Sequence, residues 1–151
     1  MIYLLNELKK KGVRIGLYST VGDLLHAGHV IAIEESRAHC DYLIVAVLSD
    51  PTVDRPDSKN KPVQTLYERW VQVSSMKSVD MVIPFSTEKD LENMILTLKP
   101  DVRFVGEEYK GTEFTGHWIK TSDIVFLGRQ HSFSSTELRH RVVAGGLSGK
   151  E

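Results

Sequence analysis

The sequence predicts an α/β protein, a three-layer sandwich with a five-stranded parallel sheet between two helical layers. Three observations carry this. Short apolar runs alternate with amphipathic segments of helical period along the whole chain. One run, Tyr42-Leu43-Ile44-Val45-Ala46-Val47-Leu48, is apolar without interruption, as a parallel strand covered on both faces requires. Breakers such as Gly12, Pro51, Pro56, Pro62 and Pro100 fall between the runs.

The elements follow in order. Ile2, Leu5 and Leu8 stand at helical spacing, so residues 2–10 read as a short amphipathic helix ended by Gly12. Val13 to Tyr18 reads as the first strand, and the turn-rich stretch Ser19 to Asp23 follows it. A helix is expected from about Ala27 to Ala38, with Val30, Ile31, Ile33 and Ala38 as apolar positions. The apolar run at 42–48 is the second strand. Residues 50–63 read as a loop, and a helix is expected from about Leu66 to Lys77. Met81 to Pro84 is the third strand and Leu91 to Leu98 the next helix, stopped by Pro100. Val102 to Gly106 and Ile124 to Leu127 are the last strands. The closing helix is expected over Ser134 to Val143, where Ser134 and Glu137 have the spacing of a capping box. Residues 1–12 form a helical extension, and residues 13–151 the main domain.

Composition bounds the function. The chain has 151 residues, 41% hydrophobic and 26% charged, which suits one globular domain with a full core. Its 19 basic and 20 acidic residues argue against a broad nucleic-acid surface. Cys40 is the only cysteine, which excludes an internal disulfide and fits a reducing compartment. The apolar opening Met1 to Leu5 precedes its charges, the reverse of a secretory signal, and no run approaches the roughly 20 apolar residues of a membrane span. A cytoplasmic protein with neither nucleic-acid nor membrane partner is expected.

The sharpest local feature is His26-Ala27-Gly28-His29, after a strand and at a helix start. Histidines three apart share one side of a helical turn, Gly28 admits a close ligand, and helix N-terminal amides suit phosphate. On spacing alone, half of a zinc site and a surface accident stay open beside phosphate chemistry. A second feature is Arg129-Gln130-His131-Ser132-Phe133-Ser134-Ser135-Thr136, which opens the last helix. It reads as an anion site or, equally, as a serine-rich cap beside a solvated arginine. Lys59, Lys61 and Arg69 follow the second strand, and Gly106-Glu107-Glu108-Tyr109 follows the fourth. Each is an exposed surface if taken singly. All fall at strand carboxyl ends, where parallel sheets bind ligands, and that convergence favours one shared site.

These motifs resemble those of the cytidylyltransferase-like nucleotidyltransferase family, over roughly residues 13–143. Thr20-Val21-Gly22-Asp23-Leu24-Leu25-His26-Ala27-Gly28-His29 is similar to a GTFDLLHxGH stretch, and Arg129 to Thr136 to an RTxGISTT stretch. Asp41 to Val47, Val79 to Pro84 and Asp101 to Gly106 also match. The pattern is nearest to the glycerol-3-phosphate cytidylyltransferase branch. The chain departs from it where Thr20-Val21-Gly22-Asp23 replaces GTFD and Gln130-His131-Ser132 replaces TxG.

The resemblance implies a Rossmann-like fold and in-line attack of an acceptor phosphate on the α-phosphorus of a nucleoside triphosphate, with release of pyrophosphate. It implies catalytic roles for His26, His29, Arg129 and Lys59. It implies nucleotide contacts from Thr20, Val21, Asp23, Gly28, Glu108, Ser134, Ser135 and Thr136. Lys61, Arg69 and Lys77 are the expected phosphate or acceptor contacts. Mg²⁺ is expected with the triphosphate, with Asp23 or Glu108 near it. The reaction so implied transfers CMP from CTP to glycerol 3-phosphate. An adenylyltransferase acting on a sugar phosphate is the rival, and a nucleotide-binding module without turnover the rival of another class. A homodimer is also implied, with residues 79–84 in the contact.

Overall fold

The computed structural model describes residues 1–147, so residues 148–151 of the expected main domain lie outside the described residues. Five strands form one parallel sheet: β1 Ile15–Thr20, β2 Tyr42–Leu48, β3 Met81–Phe85, β4 Val102–Gly106 and β5 Asp123–Leu127. Their order is β3-β2-β1-β4-β5. The helices are α1 Ile2–Lys10, α2 Ala27–Ala38, α3 Leu66–Ser74, α4 Glu88–Leu98 and α5 Ser135–Leu147, with a 3-10 turn at Glu107–Tyr109.

Strand β2 shows how the sandwich is made. Ile44, Ala46 and Leu48 join Leu5 of α1 and Leu91, Ile95 and Leu98 of α4 in one core cluster. Leu43, Val45 and Val47 join Ile33 of α2 and Val73 of α3 in the other. The period of two along a strand sends alternate side chains to opposite layers, and burial on both faces needs an unbroken apolar run. The 1–12 extension takes part in this core: Leu5 is 2% exposed. Lys9 Nζ also donates to the carbonyls of Leu98 and Lys99, tying α1 to the end of α4.

Several expected boundaries move. β1 begins at Ile15 rather than Val13 and runs to Thr20. Helix α3 stops at Ser74 rather than Lys77. The hydroxyls of Ser74 and Ser75 both donate to the Val71 carbonyl, offering the backbone an alternative to another turn. Helix α4 starts at Glu88, three residues before the expected Leu91, because Thr87 and Asp90 form a capping box. Helix α5 starts at Ser135, and Ser134 accepts from the Glu137 N–H at 3.1 Å as its cap.

After β3 the chain returns to the other side of β1 to place β4. The crossovers leave β1 in opposite directions, so a cleft opens at the carboxyl ends of β1 and β4. Among the described residues, no helix is long and apolar enough to cross a membrane.

Candidate active site

A cleft of about 780 Å³ occupies this switch point. Nine of the expected site residues line it: Thr20, Val21, His26, Gly28, His29, Lys59, Glu108, Arg129 and Ser135. They come from the end of β1, the start of α2, the β2–α3 loop, the end of β4 and the start of α5.

The histidine pair is set by the entry to α2. His26 is the N-cap, with extended backbone, and its Nδ1 accepts from the Gly28 N–H at 3.0 Å. His29 Nδ1 faces the His26 N–H at 3.3 Å, so each imidazole caps the other's turn. Both Nδ1 atoms are acceptors, which places the proton of each neutral ring on Nε2. His26 Nε2 lies 3.3 Å from Ser135 Oγ, whose own proton goes to the Asp23 carbonyl at 3.1 Å. The ring centroids are 4.0 Å apart.

Burial sets their charge. It pushes His29 down to about 4, with the neighbouring His26 adding to the effect. His26 is also held below its ordinary value, by burial and then by His131 and Arg129. Both rings are therefore neutral N–H donors at neutral pH.

Gly28 is required by this geometry. A Cβ there would lie 2.8 Å from His26 Cε1 and 3.0 Å from His131 Cε1. Only a residue without a side chain lets both rings crowd the α2 N-terminus. Leu24, just before, has a φ of 50°, an uncommon left-handed conformation for a leucine. The Gln64 side chain holds it by accepting from its N–H at 2.8 Å.

Other expected residues take structural places. Asp23 is 4% exposed and is not part of the cleft lining. Its carboxylate accepts from the N–H groups of Val63 and Gln64, each at 2.9 Å, and from Arg139 Nη2 at 2.7 Å. Arg69 is 1% exposed and donates to the carbonyls of Gln64, Val21, Leu48 and Ser49. Its guanidinium is turned to backbone and does not present itself to a phosphate. Ser134 and Thr136 sit at the start of α5 outside the cleft lining, and exposed Lys61 and Lys77 do not line it either.

The cleft adds residues that were not among the expected contacts. His131, in the place of the usual TxG, stacks on Phe133 with centroids 5.1 Å apart. Tyr18, Arg55, Glu88, Glu92, His117 and Trp118 also line it. Arg55, His117 and Trp118 lie in connections without repeating pattern, whereas Tyr18 belongs to β1 and Glu88 and Glu92 to α4. Among the described residues no group of three His, Cys, Asp or Glu side chains could hold a metal alone. That leaves the zinc reading of the histidine pair without a site.

A cytidylyltransferase-like family model matches residues 18–141. The bifunctional protein HldE of Photorhabdus laumondii is 33% identical over 135 residues, 87% of this chain and 28% of that protein. The HldE of Paramagnetospirillum magneticum is 37% identical over 106 residues, 70% of this chain and 22% of that protein. The chain thus spans less than a third of the length of these relatives. The crystal structure of a lipopolysaccharide core biosynthesis protein from Thermoplasma volcanium GSS1 aligns with a TM-score of 0.56 at 25% identity, covering 89% of this chain and 90% of that one. Pantothenate synthetase from Thermus thermophilus aligns with a TM-score of 0.64 at 15% identity, over 89% of this chain and 65% of that one, a likeness of fold alone. The family match runs from within β1 to within α5 and takes in every element around the cleft, so the chain belongs to the cytidylyltransferase-like family of nucleotidyltransferases.

Proposed function

We propose that the chain transfers the adenylyl group of ATP to the phosphate of a sugar phosphate and releases pyrophosphate. The observation that carries the transfer is the gathering of His26, His29, Lys59 and Arg129 around one cleft at the N-terminus of α2. Two features favour this donor and acceptor over CTP and glycerol 3-phosphate. The Thermoplasma relative, similar over nearly its whole length, is named for lipopolysaccharide core biosynthesis, which is saccharide chemistry. The loop after β5 has Gln130-His131-Ser132 where the cytidylyl pattern has TxG, and the stacked His131 and Phe133 rings offer a purine a broad face.

An oxygen of the acceptor phosphate attacks the α-phosphorus, forming a new P–O bond. The bond from that phosphorus to the bridging oxygen breaks in line, and pyrophosphate carries away the electron pair. No proton need move, so the protein's work is positioning and charge stabilisation. The Nε2–H of His29 meets oxygens whose charge rises during transfer, and His26, capped on the Gly28 N–H and held by Ser135, positions it. Lys59 and Arg129 neutralise the triphosphate before and during the step. Ser135 holds the His26 ring.

The site fits a Mg²⁺ that arrives on the triphosphate, since such ions take one or two carboxylates and otherwise phosphate and water. Of the two carboxylates expected near it, Glu108 lines the cleft, whereas Asp23 is occupied by three donors. When bound, the ion would neutralise charge on the phosphates.

Pyrophosphate release should be measured for the four triphosphates against a panel of phosphorylated acceptors. ATP with a sugar phosphate is the expected pair, and faster turnover of CTP with glycerol 3-phosphate overturns the reading. A homodimer through the exposed edge of β3, residues 79–84, belongs to the same proposal.

A further inference from the structure

The cleft has two ends, on opposite faces of the sheet. The histidines belong to α2, on the face covered by α2 and α3. Arg55, Glu88, Glu92 and Trp118 line the end next to α4, on the face covered by α1 and α4. The chemistry proposed above uses the first end and leaves the second without a role.

The second end is built rather than open. The Trp118 indole donates to Glu92 Oε1 at 2.8 Å, which joins the β4–β5 connection to α4. Arg103, 4% exposed, donates from Nη2 to the carbonyls of Gly116 and Ile119, each at 3.0 Å, and fixes the turn on either side of Trp118. Asp54 accepts from the Glu88 N–H at 2.6 Å and anchors the β2–α3 loop on the start of α4. That loop brings Arg55 Nε to 3.2 Å from Glu88 Oε1, but off the N–H direction, so this buried Nε has no hydrogen-bond partner among the described residues. The Trp118 ring is nevertheless 49% exposed.

An open aromatic face, flanked by carboxylates and the Arg55 guanidinium, has a specific complement. The C–H face of a sugar ring lies flat on an aromatic ring, and vicinal hydroxyls donate to carboxylates and accept from arginine. A glycerol unit has no ring to cover Trp118.

We propose that Trp118, Glu92, Glu88 and Arg55 form the subsite for the neutral ring of the sugar phosphate, whose phosphate points along the cleft toward Lys59 and the histidines. This rests on the sugar-phosphate reading above. The subsite admits a cyclic, polyhydroxylated monophosphate and rejects a three-carbon acceptor.

The chain has two tryptophans, and Trp70 lies on α3 outside the cleft. In a Trp70→Phe background, emission therefore reports Trp118. The probes are pentose, hexose and heptose monophosphates, with glycerol 3-phosphate and inorganic phosphate as controls, each with and without ATP. A saturable change with at least one sugar phosphate and none with the controls is expected. No change with any sugar phosphate, or an equal change with glycerol 3-phosphate, overturns the subsite. In turnover assays Glu92→Gln and Trp118→Ala should raise the acceptor KM on the order of tenfold. The KM for ATP should hold, and Trp118→Phe should restore most of the loss. Turnover of a sugar phosphate unaltered in Glu92→Gln and Trp118→Ala removes the subsite and leaves the function standing. If only glycerol 3-phosphate turns over, the function itself falls.

Discussion

Asp23 and Arg139 pair at 2.7 Å, joining the segment before the histidine pair to α5. The same carboxylate accepts from the N–H groups of Val63 and Gln64, so it fixes three segments relative to one another. Burial alone would raise its pKa, but the bonds from Gln64, Val63 and Arg139 outweigh it and hold the carboxyl below its ordinary value.

Asp23→Asn should therefore destabilise the fold, by on the order of 3 kcal/mol, because Arg139 and one backbone donor lose their acceptor. The carboxyl binds its proton less tightly folded than unfolded. Its contribution is full above the unfolded carboxylate pKa and fades as pH falls through the lower folded value. Urea denaturation should show part of the wild-type acid instability missing in Asp23→Asn. Equal stability of the two proteins at neutral pH would show that the pair does not organise the site.

The sheet was legible because its runs obey simple periods. The apolar stretch at 42–48 returned as β2 without a shift, and Ala27–Ala38 as α2. The histidine pair was legible as well, since its position between a strand and a helix fixed its side of the sheet. The roles of Asp23 and Arg69 were not. A motif shows that a charged residue belongs to a site, but whether its charge faces ligand or backbone depends on loops that pack from 40 residues away, as Val63 does on Asp23. Trp118 and Glu92 meet only through the turn held by Arg103, and nothing in their spacing announces it.

Arg69 gives a sharp test of that distinction. Its guanidinium donates to Val21, Leu48 and Ser49 carbonyls at 2.7, 2.6 and 2.6 Å. Lysine cannot reproduce this planar fork. Arg69→Lys should lower stability by about 3 kcal/mol or more, as several buried carbonyls lose partners. The affinity of the folded variant for ATP should change little. A large rise in ATP KM with unchanged denaturation would instead mean that the side chain reaches phosphate.

The dimer is tested by mass. β3 is an edge strand of the sheet, with Pro84 exposed. Light scattering at micromolar concentration should give about twice 17.0 kDa, and a Pro84→Lys substitution at the exposed position of β3 should return the monomer value. A monomer mass for the unaltered protein removes the contact from the proposal.

His29 makes stability depend on pH in its own window. Its folded pKa is about 4, against 6.5 for the ordinary imidazole, because burial and then His26 disfavour the charged ring. The unfolded chain thus takes up the proton first. Stability should fall as pH is lowered from above 6.5 toward 4 and then level off with respect to this group. Proton NMR of the His29 ring should find it neutral at pH 6. A thermal-denaturation series should show a shallower slope over this window in His29→Gln. Titration of His29 near its ordinary value would contradict the burial that places it in the cleft.

The last prediction separates how the site's cations and imidazoles act. His29 is a neutral donor fixed by the His26 N–H and by the α2 start, and charge on the phosphoryl oxygens reaches it only as transfer proceeds. A group that meets charge only in the transition state raises turnover rather than affinity. His29→Ala should then lower kcat by on the order of 100- to 1,000-fold while ATP binding changes little. Arg129 is different. It is exposed at the cleft wall, and its hydrogen bond to the Phe133 carbonyl is long at 3.4 Å, so its charge can meet the triphosphate in the ground state. Arg129→Ala should weaken ATP binding and lower kcat together. His26→Ala should lower kcat less than His29→Ala, through a displaced His29 ring, and also loosen the start of α5, because the His26 Nε2 partner is Ser135. Steady-state kinetics, with ATP affinity measured separately by calorimetry, decide among these. Full turnover in both histidine variants would mean that transfer is stabilised by the two cations alone.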